Sequence, residues 1–165
     1  MEERLLKKLK LVYIERSRDK VIAVRSAAAS GLCSLQNSQS PDQEVLSVIS
    51  KNIDYESTMS VRRIYAQNIL VHPITMESIQ RRLRDEDLTV RLDLLHNLEN
   101  HSIIQQMSIA LRHAVIQCLQ DRNEVIVKAT ESIILNNWAK HNTLFVLLSL
   151  VDFENDELMV KYGKP

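Results

Sequence analysis

The sequence predicts an all-α protein, an α-solenoid of about four helix pairs followed by a partial fifth. Three observations carry that expectation. A short pattern recurs five times at spacings near thirty residues or more. The apolar residues between its copies fall at helical intervals. Turn formers are scarce, with 2 Gly and 3 Pro in 165 residues, too few for the many tight turns of a β-sandwich or barrel. At 45% hydrophobic and 25% charged residues, the composition is that of a folded domain with a sizeable core rather than a disordered chain. No window approaches the ~18 apolar residues of a membrane span. The opening Met-Glu-Glu-Arg lacks the apolar segment of a secretory signal.

The recurring pattern is an acidic turn, then Val-Arg or Val-Lys, then an apolar helical run. It runs Arg18-Asp19 to Val24-Arg25, Glu56 to Val61-Arg62, Arg84-Asp85 to Val90-Arg91, and Asp121 to Val127-Lys128. A weaker fifth copy is Asp152 to Val160-Lys161. The valines are 37, 29, 37 and 33 residues apart, a variable period typical of stacked helical repeats. The expected units are 1–37, 41–71, 74–99, 106–140 and a partial 142–165, forming a single array.

Each unit divides into a helix A, a tight acidic turn and a helix B. In the first helix B, Val21, Val24, Ala28, Leu32 and Leu35 share one face. Ser40-Pro41 with Gln43 suggests an N-cap Ser, Pro in the first turn and a capping-box Gln. His72-Pro73 ends one helix and Thr75 caps the next, whose core face is Met76, Ile79 and Leu83. Leu111, Ala114, Val115, Cys118 and Leu119 define the fourth helix A. Asn142 is expected to cap a helix bearing Leu144, Leu147, Leu148 and Val151.

The Val of each motif is expected to pack between A and B. Its Arg is expected to reach the acidic turn of its own or the preceding repeat, as a ladder of ion pairs. Such arginines could equally face a partner from one side of the solenoid. Net charge is zero, but its distribution is uneven. Residues 1–30 hold eight basic and four acidic groups, residues 31–60 one and four, and residues 61–91 six and four. A basic face is therefore compatible with a neutral chain.

Paired helices with Asp…Val-Arg at the turn resemble HEAT repeats, which implies a right-handed α-solenoid. The ordered set is more specific. Asp19 to Arg25 followed by Ala27 to Gln36, then Ser60-Val-Arg-Arg63 with Ile69 and Thr75, is similar to early repeats of the condensin G subunit family. Arg84-Asp85 with Val90-Arg91 continues that similarity. So do Met107 to Ala110, Leu119 to Arg122, Val127-Lys128, Asn137-Trp138 and Leu147 to Asn155. Members of that family are several times longer, and the fifth motif breaks off inside its helix B. The expectation is a fragment, a truncated gene model or a short paralogue, whose N-terminal end can also lack earlier repeats.

The resemblance implies a non-catalytic subunit that binds the kleisin chain and helps hold duplex DNA, without reading its sequence, during mitotic chromosome condensation. SMC subunits would be indirect partners. The implied location is the nucleus and chromosomes, with a cytoplasmic pool. No membrane or small-molecule substrate is implied. Sequence-independent DNA binding uses Lys and Arg on phosphates, and a curved helical array offers an extended surface for it. Position and charge select Lys20, Arg25, Arg62, Arg63 and Arg91 as candidates. Arg16, Arg18, Arg82 and Arg84 are second choices. A HEAT scaffold that binds only protein is the alternative. Under it these arginines pair with the acidic turns. A fragment without independent function is a third reading, which predicts an exposed apolar patch at Leu158, Met159 and Val160.

Enzymatic readings find no support in the motifs. With Gly31 and Gly163 alone, no phosphate-cradling glycine loop can form, and neither GxSxG nor HExxH occurs. His72, His96, His101, His113 and His141 are scattered, and none precedes Glu, so the His-Glu pairs of a HEAT-type metal hydroxylase are absent. His96 and His101 read as surface residues. Cys33 and Cys118 read as small core hydrophobes, and Trp138 as a core residue. No catalytic residue, metal site or cofactor is assigned.

Overall fold

The computed structural model describes residues 2–101, 104–140 and 142–151. They form helices α1 (Glu2–Arg16), α2 (Ile22–Ser34), α3 (Gln43–Tyr55), α4 (Met59–Asn68) and α5 (Met76–Arg82), then α6 (Leu88–His101), α7 (Ile109–Gln117), α8 (Glu124–Ser132) and α9 (Leu144–Val151). Short 3-10 turns cover Ile104–Gln106 and Cys118–Gln120, and a π-helical stretch covers Ile133–Ala139.

The helices alternate between two layers. The odd-numbered helices α1, α3, α5, α7 and α9 pack each on the next, as do α2, α4, α6 and α8. The second layer is the more closely packed. Consecutive helices pair across the layers, which makes an α-solenoid of HEAT-type pairs. One core runs between the layers from Ala29 to Trp138, through Ile49, Ile53, Tyr65, Leu94, Leu98, Leu111 and Val115. Fully burying each of its large side chains is worth roughly 1.5–3 kcal/mol.

Local sequence explains the helix ends, with corrections to the expected caps. Asp42, not Ser40, caps α3, its carboxylate accepting from the N–H groups of Glu44 and Val45. A carboxylate next to the helix start is the better acceptor and also suits the helix dipole. Thr75 stands at the N-cap of α5, but its hydroxyl donates to Leu70 O and accepts from the His72 N–H, holding the loop rather than the helix. Asn142 donates to Trp138 O, and Thr143 takes the N-terminal acceptor role by receiving the Val146 N–H.

The face of α2 also differs from its expected pattern. Val21 is the N-cap and is exposed, Val24 is half-buried, and Ala28, Ala29 and Leu32 supply the contact. Small residues suffice there because α1 lies close. A Cβ added at Gly31 would stand 2.6 Å from the Tyr13 ring. Of the motif valines, Val61 and Val90 are buried and Val24 and Val127 are half-buried. Leu119 and Leu148 face solvent rather than the core. The fifth motif and the region of Leu158, Met159 and Val160 lie outside the described residues.

Amide side chains tie the C-terminal ends of the second layer together. Gln36 donates to Asn68 O and accepts from the Leu70 N–H. Asn97, buried, donates to both Ala66 O and Ile69 O. Asn137 donates to Glu99 O. Each bridges adjacent repeats by satisfying carbonyls that a helix end leaves without partners.

Candidate functional site

The four turns that precede α2, α4, α6 and α8 share one device. A carboxylate two residues before the N-cap accepts the N-cap residue's own N–H. The pairs are Asp19 with Val21, Glu56 with Thr58, Asp85 with Asp87 and Asp121 with Asn123, at 2.9, 2.8, 2.9 and 2.9 Å. This closes the turn and fixes the direction in which the next helix leaves.

An arginine four residues after the N-cap then joins one turn to the next. Arg25 sends Nε and Nη2 to the two oxygens of Glu56 at 2.8 and 2.9 Å. Its Nη1 donates to Asp19 O and Lys20 O. Arg62 repeats this with Asp85 at 3.0 and 3.1 Å, and its Nη1 donates to Glu56 O and Ser57 O. Arg91 donates to Asp85 O at 2.7 Å, but its grip on Asp121 is looser, at 3.3 and 3.5 Å. Each guanidinium thus binds the carbonyls of its own turn and the carboxylate of the following one. Each arginine contacts its own turn, one of the expected alternatives, but its carboxylate partner lies in the following repeat rather than the preceding one. The first half of a helix B lies nearer the next turn because neighbouring B helices pack side by side.

Burial grades the ladder. The Arg62 side chain is 4% exposed and that of Asp85 is 0% exposed, whereas Arg91 and Asp121 are 16% and 19% exposed. Burial alone would raise the Glu56 carboxyl, but Arg25 and the Thr58 N–H hold it below the usual range. Burial would lower Arg62, yet Asp85 and Glu86 raise it, so the cation persists. The ladder ends at the fourth repeat. Counted from N-cap Asn123, Ile126 occupies the buried place of Val61 and Val90, and Val127 the place of Arg62 and Arg91. Lys128 is therefore turned to solvent, 3.9 Å from Glu124. The fourth Val-Lys motif is one residue out of step with the first three.

The expected site residues divide accordingly. Arg25, Arg62 and Arg91 are ladder members. Arg63 bonds Asp93 at 2.6 Å across α4 and α6. Arg82 bonds Asp85 at 3.0 Å and faces Asp54 at 3.7 Å, and Arg16 meets Asp19 at 3.3 Å. Arg84 donates to the neutral Gln117. Lys20 and Arg18 are exposed beside the first turn, without a carboxylate partner among the described residues. Sequence reasoning missed Tyr55 and Arg122, both exposed on the turn edge. Their signal was available in register, since each neighbours a motif acid. It also missed the apolar positions at the starts of the B helices. Ile22, Met59 and Val125 are 49%, 40% and 49% exposed.

Other chemistry is sparse. Among the described residues, no three His, Cys, Asp or Glu side chains are grouped to hold a metal ion, and no helix is long and apolar enough to cross a membrane. Both cysteines are free. Burial pushes the Cys33 thiol up to about 12 and that of Cys118 to about 11, far from a reactive thiolate. His96 is exposed and Trp138 is buried.

Layered helix pairs locked by a side-chain ladder define a helical-repeat scaffold. Comparison with solved structures narrows the class. The chain is similar to a chain in the crystal structure of the S. pombe condensin Cnd3-Cnd2 subcomplex, with 26% identity and a TM-score of 0.78. The match covers 94% of this chain and 20% of that one, so the sequence spans about a fifth of the solved chain's length. No family model matches the sequence, and no curated protein matches it.

Proposed function

We propose that the chain is a non-catalytic, condensin-related HEAT scaffold segment that seats a kleisin chain and contributes to holding duplex DNA. The observation that carries this reading is the similarity to a condensin subcomplex over 94% of the chain, at 26% identity. A continuous array of packed helices suits a platform for an extended partner. Kleisin is the direct partner in this reading, SMC subunits are reached through it, and the working location is the chromosome in the nucleus.

The DNA part rests on fewer residues than the sequence suggested. Arg25, Arg62, Arg63 and Arg91 are paired with carboxylates, and a paired arginine offers a phosphate less. Lys20, Arg18 and Arg84 carry the reading instead. The same pairing favours the second reading, a scaffold that binds only protein.

Fluorescence anisotropy with duplex DNA, at several salt concentrations and with or without a kleisin peptide, separates the two. Binding that weakens steeply with salt and tightens with the peptide supports the first reading. Replacing Lys20 or Arg18 should then lower the log–log salt slope by about one each. Peptide binding without DNA binding supports the protein-only scaffold. Binding to neither overturns both.

A further inference from the structure

The turn edge holds a cleft that the ladder does not fill. It lies between the third and fourth turns, has a volume of about 780 Å³, and is lined by Arg84, Arg91, Gln117, Cys118, Asp121 and Arg122 among others. The corresponding cleft between the first and second turns is about 310 Å³ and is lined by Arg18, Asp19, Arg25, Tyr55, Glu56 and Ser57.

Charge distinguishes the two clefts. Each is flanked by the residue before one motif acid and the residue after the next. These are Arg18 and Ser57 at the smaller cleft and Arg84 and Arg122 at the larger. The acids of the larger cleft are already matched. Asp85 receives Arg62 and Arg82, and Asp121 faces Arg91. Arg84 bonds a neutral amide, and Arg122 meets no carboxylate among the described residues. Glu124, the nearest exposed acid along the chain, faces Lys128 instead. Two positive charges therefore remain over the opening. Beneath the opening, Arg91 Nε is buried and lies 3.3 Å from Asp121 Oδ2, in an ion pair rather than an aligned hydrogen bond.

We propose that this cleft binds a phosphate monoester dianion between Arg84 and Arg122. Guanidinium forks suit phosphate oxygens, and a surplus of two charges matches a dianion better than a carboxylate or a phosphodiester. The inference goes beyond the condensin reading and shares only Arg84 with it. Its natural source is a phosphorylated side chain of a partner.

The test is an NMR titration of the 15N-labelled chain with O-phosphoserine at constant ionic strength. Saturable shifts at the Arg84 and Arg122 Nε–H groups and at Gln117, with Arg16 and Arg18 unmoved, are expected. Neither Arg84 nor Arg122 belongs to the ladder, so Arg84→Gln and Arg122→Gln should keep the helical circular dichroism. Each should weaken binding at least tenfold. Acetate or dimethyl phosphate reaching the same midpoint would overturn the assignment, the latter pointing to a nucleic-acid backbone. Unsaturable shifts spread over all surface arginines would reduce it to charge screening and also overturn it.

Discussion

Arg62 reaches from the start of α4 into the turn before α6, where its Nε and Nη2 meet the two oxygens of Asp85 at 3.0 and 3.1 Å. The same carboxylate receives the Asp87 N–H and Arg82 Nη1. One buried acid thus joins two repeats, a turn and a helix A. Removing Arg62 leaves that charge without its main partner, so Arg62→Ala should destabilise the fold by about 3–5 kcal/mol. Urea unfolding of Arg62→Ala, Asp85→Asn and the double variant gives the coupling. Additive losses would show that the pair is not coupled.

The ladder should weaken along the chain. Arg25→Ala should cost about 1.5–3 kcal/mol, as expected for charge-assisted bonds that are partly buried. Arg91→Ala should cost about 1 kcal/mol, because its ion pair is longer and more exposed. The order Arg62, Arg25, Arg91 in midpoint loss, measured in the same buffer, checks the geometry. An equal loss at all three would contradict the burial gradient.

Lys128 lies outside the ladder although its motif resembles the others. Lys128→Ala should change stability by no more than about 0.5 kcal/mol, the worth of an exposed helical pair. A loss comparable with that of Arg25→Ala in thermal unfolding would show that the fourth repeat keeps the register of the first three.

Acid should act partly through Glu56. Its folded carboxyl lies below the usual range, where Arg25 and the Thr58 N–H offset the effect of burial. Asp42 is held low chiefly by its bond from Lys10. For a depressed carboxylate, the stabilisation is complete above the unfolded value near pH 4–4.5 and is lost as pH falls through the lower folded value. The melting temperature should therefore hold between pH 7 and 5 and fall below about pH 4.5. Glu56→Gln should be less stable at pH 7 and lose less on acidification. A variant that retains the full acid dependence would exclude Glu56 as a contributor.

Burial of Cys118 and the raised pKa of the half-buried Cys33 should silence both thiols in the folded chain. Ellman's reagent at pH 8 should label neither within minutes, and both at once after unfolding in guanidinium. Rapid labelling of either in buffer would indicate local opening of that repeat.

The helix pairs were legible because their cause is local. Apolar residues three and four apart, such as Met76, Ile79 and Leu83, need one buried stripe. Turn acids stand beside such stripes at every repeat. Caps were legible only in part, since Ser40 and Asp42 are both good acceptors and sequence does not say which one meets the free N–H groups. The direction of the ladder was not legible. Asp19, Glu56, Asp85 and Asp121 are equally plausible partners for an arginine until the angle between repeats decides which one its guanidinium reaches.

Composition and periodicity by themselves determined an all-helical array of acidic turns and apolar B helices, because those features follow from neighbours along the chain. The tertiary structure alone decided that Arg62 joins the carbonyls of its own turn to Asp85 of the next, that Lys128 stands outside the ladder, and that Arg84 and Arg122 flank one cleft. Those outcomes depend on residues about 23 to 38 positions apart being brought together across neighbouring repeats. The packing of one helix pair on the next sets that distance, and no spacing in the sequence encodes it.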